Sequence, residues 1–217
     1  PMLVQLGPTP PPIAPTPKDV VFRDGGASLL RVRPEGKRDG YPLLLVPSLI
    51  NKWYVLDLRP GTSLAHVLNG ACSELFILDW GVPEAEDRYF SWEDVTDRLA
   101  RMVRQVKRRT GAPQVGLLGY CMGGTLSAIH AALHPSEIAA LVNLVGPIDF
   151  SHAGRLGTMV DKRWFDPVAI AQAGNVSAEQ MQAGFQALGP TGSISKWVTL
   201  ADRFHDPDYR EAFAALE

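Results

Sequence analysis

The sequence predicts an α/β fold: a mostly parallel sheet with helices on both faces, incomplete at its C-terminal side and ending in a helical, cap-like region. Three observations predict it. Short, continuous apolar runs recur along the first two thirds of the chain. Segments of helical length lie between them. After Val145 the runs stop, and only helical segments continue toward Glu217.

The bulk properties fit one sizeable domain. The 217 residues are 46% hydrophobic and 20% charged, which is ample for a buried core. The net charge of -2 argues against a general nucleic-acid binder, which would be basic. No apolar stretch reaches the length of a transmembrane helix. The start, Pro1-Met2-Leu3-Val4-Gln5, has neither the charged nor the apolar region of a signal peptide. Two cysteines, Cys72 and Cys121, are too few for a disulfide scaffold, so the expected compartment is the reducing cytoplasm.

The elements follow in order. Residues 1–17 carry seven of the 18 prolines and read as an extended, solvated arm, since proline is excluded from helix and sheet interiors. Val20-Val21-Phe22 and Ser28-Leu29-Leu30-Arg31-Val32 flank Asp24-Gly25-Gly26, the pattern of two short strands joined by a glycine turn. Residues 42–47, 75–79, 115–119 and 139–145 are apolar runs that read as parallel strands buried on both faces. Ser91-Trp92-Glu93-Asp94 reads as a helix start. Trp92, Val95, Leu99, Met102, Val103 and Val106 then keep helical spacing. Arg104, Lys107, Arg108 and Arg109 suit the helix's negative end, and Gly111 and Pro113 stop it. That basic cluster reads as a solvated helix end rather than a nucleic-acid patch. A second helix is expected over 122–133, and further ones near 178–188 and 208–216. The expected units are an arm over 1–17, a core over 18–153 and a cap-like region over 154–217.

Gly119-Tyr120-Cys121-Met122-Gly123-Gly124 is the most informative stretch. It sits between an apolar strand and a helix rich in small residues, the setting of a nucleophile elbow with Cys in place of Ser. So sharp a turn leaves no room for side chains two positions either side of the nucleophile, hence Gly119 and Gly123. The helix N-terminus points free N–H groups at the sulfur, which favours the thiolate. A merely buried small cysteine is the plainer alternative, and the order of strand, turn and helix favours the nucleophile. Cys72 lacks that setting and reads as structural. A Walker A loop is a poor fit, because no Lys precedes Gly124-Thr125. Neither zinc-ligand spacing nor a dinucleotide fingerprint appears, so no metal and no cofactor is expected. An acyl-transfer nucleophile also needs oxyanion donors. One should be the amide after the nucleophile, that of Met122. The other should come from the loop 47–52 after the first long strand.

The run Val46-Pro47-Ser48-Leu49-Ile50-Asn51-Lys52-Trp53-Tyr54-Val55-Leu56-Asp57-Leu58-Arg59-Pro60 closely resembles the polyhydroxyalkanoate (polyester) synthase family. So do Leu78-Asp79-Trp80-Gly81-Val82-Pro83, the elbow block through Thr125-Leu126, and Pro147-Ile148-Asp149-Phe150. These blocks stand in the family's order and cover roughly 42–150. The resemblance implies an α/β-hydrolase fold in which Cys121 carries the growing polyester as a thioester. It implies the Ile50 and Met122 amides as oxyanion donors, with adjacent Leu49 open for the first. The implied substrate is an (R)-3-hydroxyacyl-coenzyme A, whose 3-hydroxyl attacks the acyl-Cys thioester as coenzyme A leaves. A place in the cytoplasm at the polyester granule surface follows, as does a homo-oligomer or a complementary C-terminal segment as partner.

In that family the acid and base follow later strands, so this chain is expected to correspond to the N-terminal portion and to lack the catalytic Asp and His. His66, His130, His134, His152 and His205 read as surface or capping residues. Asp149 ends a strand, either at the edge of the site or in a simple turn, and Asp57 reads as a structural polar contact. Two other functions compete: a cysteine-type depolymerase or thioesterase on the same fold, and an inactive partner-binding subunit. The block from Asn51 to Pro60 favours the synthase.

Overall fold

The computed structural model describes residues 12–36, 39–172 and 174–214. Two compact units divide the chain, one over Ile13–Asp149 and the other from Phe150 onward.

The first unit is built on a six-stranded sheet. Its strands are β1 (Lys18–Asp24), β2 (Ala27–Val32), β3 (Leu43–Val46), β6 (Leu75–Asp79), β7 (Val115–Tyr120) and β8 (Ile138–Leu144), with β4 (Asp57–Arg59) and β5 (Thr62–Ser63) forming a separate small ribbon. The spatial order is β1-β2-β6-β3-β7-β8. The four expected strands are parallel: β3 pairs with β6 and β7, and β7 with β8. The expected hairpin turns at Gly25, φ +59, and adds β1 and β2 antiparallel at the far edge. The sheet is therefore mixed but mostly parallel.

Helices α1 (Leu64–Asn69), α2 (Trp92–Thr110) and α3 (Met122–Leu133) complete this unit. Two apolar clusters form its core. One gathers Leu44, Val46, Phe76, Leu78 and Leu117 with Leu99, Met102, Val103 and Val106 of α2 and Leu126 of α3. The other gathers Leu45, Leu75, Ile77 and Leu118 with Ala65 of α1. Alternate residues of each central strand feed opposite clusters, as the two-residue period of a strand requires. The start and stop signals of α2 hold. Ser91 and Asp94 close a capping box, with Asp94 N–H donating to Ser91 Oγ at 3.1 Å and Ser91 N–H to Asp94 Oδ2 at 2.8 Å. Gly111 ends the helix at φ 70. Trp92, however, is exposed, and the buried stripe begins further along, at Arg98 and Leu99.

Two expectations are corrected. The run at 139–145 is not a strand buried on both faces: Leu141, Val142 and Leu144 are 39%, 49% and 38% exposed. Among the described strands β8 has a neighbour on one side only, β7, and an apolar sequence cannot bury itself without layers to cover it. The end of the proline-rich arm is not wholly solvated either. Thr16 is buried, and its N–H and Oγ1 donate to Asp57 at 3.2 and 2.6 Å. Ser63 Oγ donates to Asp57 at 2.6 Å, and Lys18 Nζ reaches it at 2.9 Å. A fully buried carboxylate needs such donors, and the arm supplies them. Residues 1–11, the rest of the arm, lie outside the described residues.

The second unit holds α4 (Gly154–Met159), α5 (Pro167–Gln172), α6 (Ala178–Leu188), α7 (Pro190–Asp202) and α8 (Pro207–Ala214), and no strand among its described residues. Its boundary falls after Asp149. Among the described residues no helix is long and apolar enough to cross a membrane.

Candidate active site

In a parallel sheet the strand ends lie together, and the C-terminal edge is where ligands bind. Here β7 runs through Tyr120 directly into Cys121, and α3 begins at Met122. Cys121 is neither mid-strand nor mid-helix. It holds φ 54, ψ −127, a conformation that costs a non-glycine residue about 1–3 kcal/mol and persists only where its surroundings enforce it. The enforcement is visible on both sides. Cys121 N–H donates to Leu144 O of β8 at 3.0 Å, and Cys121 O accepts from Gly124 N–H at 2.8 Å.

The elbow glycines have the steric reason expected of them. A Cβ on Gly119 would run into Gly123 O and lie 2.5 Å from the Gly124 Cα. A Cβ on Gly123 would strike Val46 O and lie 2.6 Å from Pro47 O. Both glycines therefore let backbone approach backbone where any side chain would force the turn apart.

The same contacts bring together the four sequence blocks. Gly123 sits against Val46 and Pro47 at the end of β3. Trp80, after β6, donates its indole N–H to Pro47 O at 2.9 Å. Thr125 on α3 donates to Pro147 O, beyond β8, at 2.6 Å. Segments separated by tens of residues in sequence thus meet beside the turn that carries Cys121.

Cys121 is half-buried, whereas Cys72 is buried. Burial pushes the Cys72 thiol up from its ordinary value, with smaller contributions from Leu43, which lowers it, and Glu74, so its reactive thiolate is scarce. Met122, first residue of α3, carries one of the amides that a helix start leaves without an intrahelical acceptor. The amide of Ile50 donates to Ser48 Oγ at 3.2 Å, a local turn that would have to open before Ile50 could serve an oxyanion. Leu49 packs against the core cluster.

Within the first unit the histidines fall away from the elbow. His130 lies two turns along α3, buried, with its ring against that of His134 at 4.7 Å between centroids. Burial above all, then His134, holds its pKa down to about 4. His134 caps α3, and His66 on α1 faces Glu35 at 3.6 Å. His152 and His205 belong to the helical unit, where Ser151 Oγ and His152 Nδ1 lie 2.9 Å apart. Asp149 closes the first unit. Among the described residues no group of three or more His, Cys, Asp or Glu gathers as metal ligands would.

Sequence reasoning missed Asn143 and Gly146, both of which touch the elbow or the segment beside it. One signal was available: Asn143 is the single polar residue inside the apolar run Leu141-Val142-Asn143-Leu144-Val145.

Residues 42–204 match the family described as alpha/beta hydrolase fold. Residues 9–68 match the family described as Poly-beta-hydroxybutyrate polymerase (PhaC) N-terminus. The poly(3-hydroxyalkanoate) polymerase subunit PhaC of Haloferax mediterranei is 32% identical over 207 residues, covering 93% of this chain and 42% of that protein. The corresponding subunit of Haloarcula marismortui is 28% identical over 214 residues, 93% of this chain and 45% of its own length. That of Allochromatium vinosum is 31% identical over 209 residues, 93% and 58%. The chain spans about half the length of the curated relatives it matches.

Proposed function

Because the chain belongs to the alpha/beta hydrolase fold family and corresponds to the N-terminal part of the polyhydroxyalkanoate polymerases, we propose that it carries the nucleophile half of a hydroxyacyl-coenzyme A polymerising acyltransferase. The observation that supports this most is Cys121 itself, held at φ 54 between β7 and α3 with backbone packed on both sides. A cysteine kept in a conformation that costs energy, at the ligand-binding edge of the sheet, has a use for its sulfur.

In this reading the Cys121 thiolate attacks the thioester carbonyl of an (R)-3-hydroxyacyl-coenzyme A. The bond from the carbonyl carbon to the coenzyme A sulfur breaks, and coenzyme A leaves as a thiolate that takes up a proton. The acyl group is then a thioester on Cys121. The 3-hydroxyl of a second acyl unit attacks that thioester, gives its proton to a base, and expels the Cys121 thiolate, lengthening the ester chain by one unit. The Met122 amide and one from the 47–52 loop, Ile50 or Leu49, stabilise the tetrahedral oxyanion. The base and its carboxylate partner belong, in this proposal, to sequence corresponding to the remaining length of the relatives.

Incubation with iodoacetamide and with 3-hydroxybutyryl-coenzyme A tests the reading. Peptide mapping should find Cys121 alkylated well before Cys72, and Cys121→Ala should abolish that early label. Coenzyme A release should not proceed through multiple turnovers on this chain alone. Preferential labelling of Cys72 would sink the nucleophile. Steady release would overturn the external base, and free hydroxy acid as product would make the chain a thioesterase instead.

A further inference from the structure

The contact from β8 that holds Cys121 comes from a segment that is itself strained. Val145, just beyond β8, adopts φ 52, an outlier for a β-branched residue. Its side chain is 73% exposed, so burial of that side chain does not compensate. What the unusual turn achieves lies in its two neighbours. Leu144 O accepts the Cys121 N–H at 3.0 Å. Gly146 is pressed so close that an added Cβ would lie 2.7 Å from Cys121 O and 2.8 Å from the Gly124 Cα. A relaxed, extended Val145 would carry Gly146 away from the elbow.

One side chain closes this turn. Gly146 N–H donates to Asn143 Oδ1 at 2.8 Å, and Asn143 Nδ2 donates to Gly146 O at 3.0 Å. The reciprocal pair spans Val145 and binds both polar groups of Gly146. The same Asn143 oxygen lies where a Cβ on Gly124 would be, so the amide also packs on the first turn of α3.

We propose that Asn143 is a positioning residue for Cys121: its side-chain amide clamps the strained turn at Val145, and through Leu144 and Gly146 the clamp keeps the nucleophile at the start of α3. This rests on the reading of Cys121 as nucleophile. A residue held off its preferred backbone geometry depends on such over-determination. With the clamp cut, the elbow can relax and the thiol spends less time at the helix N-terminus.

The test compares the chain as it stands with Asn143→Ala and with Asn143→Ala combined with Val145→Gly, reading the iodoacetamide rate at Cys121 and at Cys72 across pH 6 to 9 by peptide mass spectrometry. Asn143→Ala should slow Cys121 at pH 7 about tenfold, the shift that corresponds to releasing about 1.4 kcal/mol of strain. Cys72 should stay slow. Glycine takes a positive φ without strain, so the double variant should return Cys121 to within about twofold of the parent, although Asn143 is still missing. If Asn143→Ala alone does not fold, recovery of fold and labelling in the double variant supports the clamp, and failure of both overturns it. An unchanged Cys121 profile in Asn143→Ala overturns it, as does a parallel rise of Cys72 labelling, which would mark a merely structural role. A parent whose Cys121 reacts no faster than Cys72 sinks the nucleophile reading first, and this inference with it.

Discussion

The two compact units put comparable apolar side chains to opposite uses. In Ile13–Asp149, Phe76, Leu117, Leu99 and Met102 are completely buried. In the unit that follows, Trp164, Val168, Phe185, Trp197 and Val198 are 52% to 63% exposed, and Leu200 and Phe213 are the buried apolar residues among those described. The difference lies in layers, since both stretches are rich in apolar residues. A sheet sandwiched between helices gives each strand two faces to bury. The short helices of the second unit leave much of their apolar surface in water. The edge strand β8 sits between these regimes, since its register follows β7 while its side chains are exposed like those of the helical unit.

The sharpest way to break this comparison is to truncate one apolar side chain in each unit. Phe76→Ala should destabilise the first unit by about 3–5 kcal/mol, the cost of a large cavity in a central strand. Trp164→Ala should cost under about 1 kcal/mol, because water already reaches the indole. Urea unfolding followed by far-UV circular dichroism measures both. Equal losses would mean that the helical unit shares one cooperative core with the sheet.

The Asp57 knot comes next. Removing that carboxylate leaves Lys18 with a charge in a site only 15% exposed and takes the shared acceptor from the hydroxyls of Thr16 and Ser63. Asp57→Ala should therefore cost about 3 kcal/mol and free the end of the arm, read as faster proteolysis near residue 14. A variant as stable as the parent would show that the arm is not anchored there.

A smaller effect depends on pH. Burial and the neighbouring His134 lower the His130 pKa from 6.5 to about 4. Between those values the unfolded chain binds a proton that the folded chain refuses. Stability attributable to His130 is thus present above about pH 6.5 and is lost as pH falls toward 4, by about 3 kcal/mol. Thermal midpoints measured from pH 7 to pH 4 should fall less steeply in His130→Leu. Parallel curves would place the acid sensitivity elsewhere.

Features set by neighbouring residues were legible in the sequence. The strands at 43–46, 75–79 and 115–120, the capping box at Ser91 and the glycines around Cys121 rest on patterns a few residues long, and each stands where the pattern put it. The misreadings concern partners distant in the chain. Whether 139–145 is buried depends on what lies beyond β8. Whether Thr16 is solvated depends on Asp57, 41 positions away. Asn143 was passed over because its role depends on a backbone angle at Val145 that β-branched residues rarely adopt.

Helix caps give the mildest probe, because the same device occurs in both units. Ser91 caps α2 with Asp94 in reciprocal position, and Ser177 caps α6 with Gln180 in the same arrangement. In each, the serine oxygen accepts the N–H three residues on, at 3.1 and 3.2 Å. Locally, the two substitutions Ser91→Ala and Ser177→Ala remove the same hydrogen bond, about 1 kcal/mol of helix stability. Their readouts should differ because the helices are attached differently. Helix α2 lays Leu99, Met102, Val103 and Val106 into the main cluster, so weakening its start should lower the unfolding midpoint of the whole first unit. Helix α6 buries no residue, so its loss should appear as faster amide exchange over 178–188 with the global midpoint unmoved. If Ser177→Ala instead shifted the global transition as far as Ser91→Ala, α6 would be coupled to the sheet's cooperative unit, and the contrast between the two regions would fail at its weakest link.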